Sequence, residues 1–234
     1  MKRTDNPELK RTVLNHLADL YKIREVREYN HLSSYITCRT KGFLDQKQTS
    51  EPTDTEVMLF ALGYALQDVI TPKDAKAPVI NKNNILYRPD MILSNRLNEI
   101  KTTRKSAKYH FLDDSLPVTW VEYMLGGCYM MGKNEYDLIV LYMMGDYAPP
   151  FPLIYAETIY YEDKEIQDNW EYILKNKATL DKSLETGIMP EPFHNCYDWE
   201  CKYCRYNLVC ETMARAAGTS MTEEQVKEDK KIWN

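Results

Sequence analysis

The chain has 234 residues, 44% of them hydrophobic, enough to bury one substantial core or at most two small ones, and a single domain is expected. No apolar run approaches the roughly 20 residues that span a bilayer, and the charged start MKRTDNPELKRT lacks a signal peptide's apolar stretch, so a cytoplasmic protein without a membrane partner is expected. A net charge of -5 excludes a surface coated in basic groups while leaving room for a local basic patch.

Hydrophobic spacing places helices toward both ends and β-segments in the middle. In PELKRTVLNHLADLYKIREV, Val13, Leu14, Leu17, Leu20 and Tyr21 recur at helical spacing behind a proline, so residues 7 to 29 read as one amphipathic helix. HLSSYITCRTKGFL reads as a second helix, capped by Ser33 or Ser34 and ending near Gly42. Thr53 stands three residues before Glu56, the spacing of a capping box, and opens a helix running to about residue 70. NILYRPDMIL and RLNEIKTT read as two strands joined at Ser94-Asn95. LPVTWVEYMLGGCYMMG follows as a helix, YDLIVLYMM as a buried strand and PLIYAETIYY as another strand. KEIQDNWEYILKNKATLDKSLETG is a long amphipathic helix ending at Gly187. Residues 1–217 form a single domain in this reading, and 218–234 a charged tail.

The strand pair concentrates the chemistry. Residues two apart on a strand share a face, so Glu99 and Lys101 stand side by side, and Asp90 on the neighbouring strand reaches the same face. Two converging carboxylates suit magnesium or manganese, hard cations that also take phosphate oxygens. The lysine can position a water and offset charge on a phosphate under attack. These residue types serve phosphodiester hydrolysis; the plainer alternative is a solvated hairpin with an ion pair. The following KTTRKSAK brings Arg104, Lys105 and Lys108, a stretch able to bind a nucleic-acid backbone or to form an ordinary solvated loop. None of His16, His31, His110 and His194 has a catalytic spacing, and no G-x-x-x-x-G-K-[ST] phosphate loop is present. With Pro89-Asp90 and Glu99-Ile100-Lys101 in a strand-turn-strand setting, the chain resembles the PD-(D/E)XK nucleases.

Four of the six cysteines crowd into CYDWECKYCRYNLVC. In a reducing compartment disulfides are rare. Cys201, Cys204 and Cys210 follow C-x2-C-x5-C, and Cys38 stands alone far upstream. A zinc ribbon usually presents two close pairs, so one pair, one follower and one remote partner favour an iron-sulfur cluster, with a zinc site beside an incidental hairpin as the other reading. Cys196 and Cys128 read as spare or buried thiols, the alternatives being a substitute ligand for Cys196 and a reactive thiol for Cys128.

One cysteine before a PD-(D/E)XK core and C-x2-C-x5-C after it resembles the RecB-type nucleases with an iron-sulfur staple, among them the CRISPR-associated Cas-four exonucleases. The likeness covers residues 31–211, with segments 31–44 and 196–211 at the cluster. It implies an α/β fold: a restriction-endonuclease-like core with a mixed central β-sheet flanked by helices, closed by a 4Fe-4S cluster that joins the N- and C-terminal segments. Cys38, Cys201, Cys204 and Cys210 would ligate the cluster, shielded by Trp199, Tyr203 and Tyr206. Asp90 and Glu99 would hold Mg2+ or Mn2+, and Lys101 would assist the attacking water.

The implied activity is a metal-dependent deoxyribonuclease, an exonuclease on single-stranded DNA ends. Its settings would be DNA end processing, recombination, phage replication or CRISPR spacer acquisition in antiviral defence, with the proteins of those pathways as partners and an oligomer compatible with them. Two departures stand out. The family's Gly-x-x-x-His becomes Gly63 to Gln67 in GYALQ, which puts the Gln67 amide in the metal set. Its Gln-x-x-x-Tyr becomes Glu122 and Gly126, leaving Glu122 as a DNA-site contact or a surface group. Both motivate the alternative of a DNA-binding or assembly subunit that cleaves weakly. Trp120, Tyr123 and Tyr129 can stack on bases or belong to the core.

Overall fold

A computed structural model describes residues 6–25, 30–47, 51–108, 116–145, 152–190, 201 and 204–216 of the chain. Cys196, Trp199, Tyr203, His110, His194 and the 218–234 tail lie outside the described residues. The chain divides into two units, Met1–Asn195 and Cys196–Asn234.

In the first unit, α1 (Pro7–Leu20) starts where the Asn6 side chain accepts the Leu9 N–H and Pro7 occupies the first turn. It ends well before residue 29. Lys22 takes φ +52°, and the N–H groups of Lys22 and Ile23 return to the carbonyls of Asp19 and Ala18. That is a Schellman closure with lysine at the position glycine usually fills, so the sequence carries no stop signal there.

The expected second helix is two helices, α2 (Leu32–Ile36) and α3 (Arg39–Lys47). His31, not Ser33 or Ser34, stands at the N-cap, and Thr37 is extended (φ -80°, ψ -172°) with its hydroxyl bonded back to the Ser33 carbonyl. Gly42 lies inside α3 rather than at its end, and its N–H reaches the carbonyl of Cys38. α4 (Asp54–Ile70) opens on the expected capping box: Thr53 Oγ1 accepts the Glu56 N–H, and Glu56 Oε2 accepts the Thr53 N–H.

The segment read as one strand from 84 to 93 is broken. β1 (Ile80–Lys82) and β2 (Ile85–Tyr87) form a separate two-stranded sheet, turned through Asn83 and Asn84 at φ +56° and +57°. Asparagine tolerates that left-handed backbone better than most residues. Pro89 has no N–H for a ladder, so pairing breaks there and the chain re-aims before β3 (Met91–Leu93). β4 (Arg96–Thr103) returns antiparallel, with Leu93 opposite Arg96, leaving Ser94 and Asn95 as a two-residue loop at φ +51° and +62°. Two consecutive positive φ values give the primed turn that suits strand twist.

α5 (Val118–Met131) stops at Gly132, φ +63°, and leads into β5 (Glu135–Tyr142). β6 (Leu153–Tyr160) and the long α6 (Asp163–Thr186), closed by Gly187 at φ +70°, complete the unit. The main sheet runs β3-β4-β5-β6, with β4 and β5 parallel and both outer pairs antiparallel. This is a mixed sheet flanked by helices, compatible with the expected nuclease-like core.

Its two faces bury different layers. Ile100, Met91 and Leu141 pack with Ala75 beneath Leu66 and Ile70, which places α4 and the segment after it over one face. The opposite face of β4 and β5 carries Leu97, Glu99, Tyr136, Leu138 and Val140, all buried, against α5. α5 can approach because of two adjacent glycines. A Cβ on Gly127 would fall 2.3 Å from the Tyr87 hydroxyl oxygen, and one on Gly126 would fall 3.0 Å from Leu32 and 3.1 Å from Ile173. One glycine thus admits the sheet side and the other admits α2 and α6. In the second unit, α7 (Asn207–Ala216) follows the Cys201–Cys204 turn. No described helix is long and apolar enough to cross a membrane.

Candidate active site

Asp90 is the residue at which the chain re-aims after Pro89, and its carboxylate ties two elements together. Oδ2 accepts the Ile100 N–H of β4 at 2.8 Å, and Oδ1 accepts the Gln67 side-chain amide of α4 at 2.8 Å. On β4, Lys101 donates to Glu99 Oε1 at 2.5 Å. The other Glu99 oxygen, Oε2, accepts from the Tyr136 hydroxyl at 3.4 Å. Tyr136 and Tyr87 place their hydroxyls 2.6 Å apart. From α5, Tyr123 lays its ring 5.3 Å from the Lys101 ammonium and donates its hydroxyl to the Arg88 carbonyl, with the Trp120 ring 6.0 Å from the same ammonium. Gln67 and Asp90 form one hydrogen-bonded set tied to β4 by the Ile100 N–H, and Lys101, Glu99, Tyr136 and Tyr87 form another, the two interacting through the charges of Asp90, Glu99 and Lys101.

The electrostatics follow from burial. Glu99 is 3% exposed, and burial pushes its carboxyl up to about 7, with the Asp90 charge adding to the rise and Lys101 opposing it. Burial also raises Asp90, against the Ile100 N–H, the charges of Lys101 and Arg88 and the Gln67 amide, which all favour its ionised form. For Lys101, burial works toward the neutral amine, but the Glu99 carboxylate and its hydrogen bond prevail and raise the ammonium's pKa. Burial likewise holds the Tyr87, Tyr123 and Tyr136 phenols well above their ordinary value, so all three remain donors.

Searches against protein-family models found no match, and no curated protein matches this chain. Solved structures do. The crystal structure of SSO0001 superposes with a TM-score of 0.50 over 86% of this chain and 95% of that one, at 17% identity. Its fold is shared. An alkaline exonuclease from Laribacter hongkongensis matches at TM-score 0.45 and 11% identity, over 72% of this chain and 94% of its own. The same exonuclease in complex with dAMP matches at 0.44 and 12%, over 74% and 89%.

The remaining expected residues are placed as follows. Arg104, Lys105 and Lys108 are exposed just beyond β4. Glu122 is half-buried on α5, and its backbone carbonyl accepts the Asn169 side chain of α6. Tyr129, half-buried, stacks on Trp170 at 4.4 Å with Lys82 4.1 Å from its ring, so both of these groups already lie against it. Cys128 is fully buried, donates its thiol to the Glu135 carbonyl, and has its pKa pushed up by burial to about 12, the behaviour of an inert packing thiol.

Cys38 sits half-buried between α2 and α3 in the first unit. Cys201, Cys204 and Cys210 are half-buried in the second, where the Cys204 N–H bonds to the Cys201 carbonyl and the Cys204 sulfur accepts the Tyr206 N–H at 3.5 Å. Among the described residues no three His, Cys, Asp or Glu side chains gather into a group ready for a metal ion.

Sequence reasoning missed Tyr87, Tyr136 and Arg88. Tyr136 was hidden in an apolar strand run; the usable signal was a hydroxyl among aliphatic neighbours, which must find a partner once buried. Arg88 was readable as a cation two residues from the proposed metal carboxylate.

Proposed function

We propose that this protein is a metal-dependent deoxyribonuclease. The observation that carries the reading is the joining of Asp90, Glu99 and Lys101 through β4, with both oxygens of Asp90 held by donors from two different elements. The donor set fits a hard divalent cation in chemistry: the half-buried Asp90 carboxylate and the buried Glu99 carboxylate, each with lone pairs left over. Asp90 and Glu99 would hold Mg2+ or Mn2+, which when bound neutralises phosphate charge and acidifies a water. Lys101, kept protonated by Glu99, aims an ammonium at the same place and can orient the water or stabilise the charge that develops on the phosphate. Gln67 turns its N–H, not its carbonyl, to Asp90, so it holds that carboxylate from behind.

The substrate in this reading is a DNA strand with a free single-stranded end, trimmed as an exonuclease in end processing, recombination or CRISPR spacer acquisition. Arg104, Lys105 and Lys108 contact its backbone, and Glu122 is a further contact in this reading. The resemblance brings a 4Fe-4S cluster with Cys38, Cys201, Cys204 and Cys210 as its thiolates into this reading; the N–H donated to the Cys204 sulfur supports a thiolate there. The weakly cleaving DNA-binding subunit is favoured by one feature, the two-carboxylate site that has a glutamine amide in place of a third ligand.

End-labelled single- and double-stranded DNA incubated with the anaerobically purified protein in Mn2+ or Mg2+, beside Lys101→Ala, separates the two. Shortening by wild type and at least a hundredfold loss in the variant is expected of the nuclease. Equal, intact binding by both is expected of the subunit and defeats the enzyme reading.

A further inference from the structure

Glu99 is the least exposed of the site's charged groups, yet only one of its oxygens is held by Lys101. The other is reached by a two-hydroxyl chain running back into the fold. Tyr136 is fully buried in β5 and Tyr87 almost so at the end of β2, so the chain spans two different sheets. Each phenol has a single proton. With Tyr136 donating to Glu99 Oε2, the 2.6 Å contact requires Tyr87 to donate to Tyr136. The 3.4 Å Tyr136 to Glu99 contact is long for O–H···O, whereas the tyrosine pair is short, so the pair is the rigid part.

The third member is Gly127 of α5. A Cβ there would meet the Tyr87 hydroxyl at 2.3 Å, Tyr87 Cζ at 2.7 Å and Tyr136 Cε2 at 3.0 Å. Any side chain at that position would push the two phenols off their mutual bond. A helix that gives up a side chain beside two buried hydroxyls is built around them.

We infer that Tyr136 is a positioning residue for Glu99, with Tyr87 acting through Tyr136 and Gly127 keeping the space for both. Their task is to fix the rotamer of the Glu99 carboxylate, one oxygen on Lys101 and the other on Tyr136, within the field of Asp90. This rests on the nuclease reading above for its purpose and on the contacts themselves for its geometry. A merely structural tyrosine pair would contribute to stability and leave cation binding untouched.

The test uses the full chain and its Tyr136→Phe, Tyr87→Phe and doubly substituted variants, each of which keeps the ring and deletes a hydroxyl. Mn2+ binding is measured by calorimetry without DNA, cleavage of labelled single-stranded DNA is measured across Mn2+ concentrations, and melting is followed for each variant. For Tyr136→Phe, Mn2+ affinity falls about tenfold, half-maximal cleavage shifts to correspondingly higher Mn2+, and DNA affinity stays at the wild-type value. Tyr87→Phe gives a smaller shift in the same direction, and the double variant binds Mn2+ no worse than Tyr136→Phe alone.

Wild-type Mn2+ affinity in Tyr136→Phe, with melting lowered or unchanged, overturns the inference while a cleaving wild type leaves the nuclease reading standing. A wild type that neither binds Mn2+ nor cleaves overturns that reading and the positioning role with it.

Discussion

The Gln67 side-chain amide on α4 donates to Asp90 Oδ1 at 2.8 Å, while the backbone N–H of Ile100 holds the other oxygen of the same carboxylate. Gln67, expected in the metal set, thus gives its amide N–H to the carboxylate proposed to bind the cation. Gln67→Ala leaves Asp90 with a single protein donor, so urea denaturation should show a loss of about 1 kcal/mol. Calorimetric Mn2+ affinity should fall by about tenfold, as it does when a partner behind a ligand is removed. Unchanged Mn2+ affinity would mean that the Ile100 N–H alone orients Asp90.

Glu99 gives a pH dependence whose sign is fixed. Its carboxyl is raised from an ordinary 4.5 to about 7 in the fold, so the folded state holds the proton more tightly than the unfolded chain. Folding is then favoured at low pH, a penalty grows between about 4.5 and 7, and it is complete above. Asp90 is raised as well and adds in the same direction at the acid end, whereas the raised Lys101 acts only in the alkaline range. Melting followed from pH 5 to 8 without divalent cations should show wild type losing ground against Glu99→Gln by about 2–3 kcal/mol. Parallel profiles would show that Glu99 is ionised throughout.

Two glycines on different helices should respond oppositely to alanine. At Gly127 the new methyl meets the Tyr87 hydroxyl at 2.3 Å, and overpacking of this kind costs about 1–3 kcal/mol. At Gly63, inside α4, nothing lies within 4 Å, so alanine should stabilise by about 0.5–1 kcal/mol through helix propensity. Chemical denaturation of both variants checks the pair. A stable Gly127→Ala would mean that Tyr87 and Tyr136 can separate at little cost.

The cysteines yield a prediction about iron. Anaerobically purified wild type should be brown and carry about four irons, and Cys38→Ser, Cys201→Ser, Cys204→Ser and Cys210→Ser should each lose colour and stability together. Cys128→Ser should keep its iron, since that thiol is buried against the Glu135 carbonyl. A colourless wild type with stoichiometric zinc would replace the cluster with a zinc site.

Where the chain carried an explicit local signal, the fold was legible from sequence. The Thr53 and Glu56 capping box, the helix end at Gly187 and the Ser94-Asn95 turn all stand where the residues placed them. What escaped was backbone that behaves against residue type. Lys22 closes α1 in a glycine's conformation, and Thr37 interrupts a run whose apolar spacing continues across it. Pro89 was visible, but its effect, the split of one apparent strand between two sheets, needed the partner strands to be known. The side-by-side placement of Glu99 and Lys101 was readable because strand periodicity is local, whereas Asp90 lies in a bend just before β3 rather than on the strand expected for it. Tyr87 and Tyr136 were not, because their meeting depends on β2 and β5 coming together beneath α5.

The proposal that this site cuts DNA is tested most directly by single-turnover cleavage of 5′- and 3′-labelled single strands by wild type and Asp90→Asn in Mn2+, at protein concentrations giving equal DNA occupancy. Wild type should shorten the strands progressively from one end, while Asp90→Asn, binding equally well, should leave them intact. Strands left whole by both proteins, or cut at the same rate by both, would contradict the assignment of phosphodiester hydrolysis to Asp90, Glu99 and Lys101.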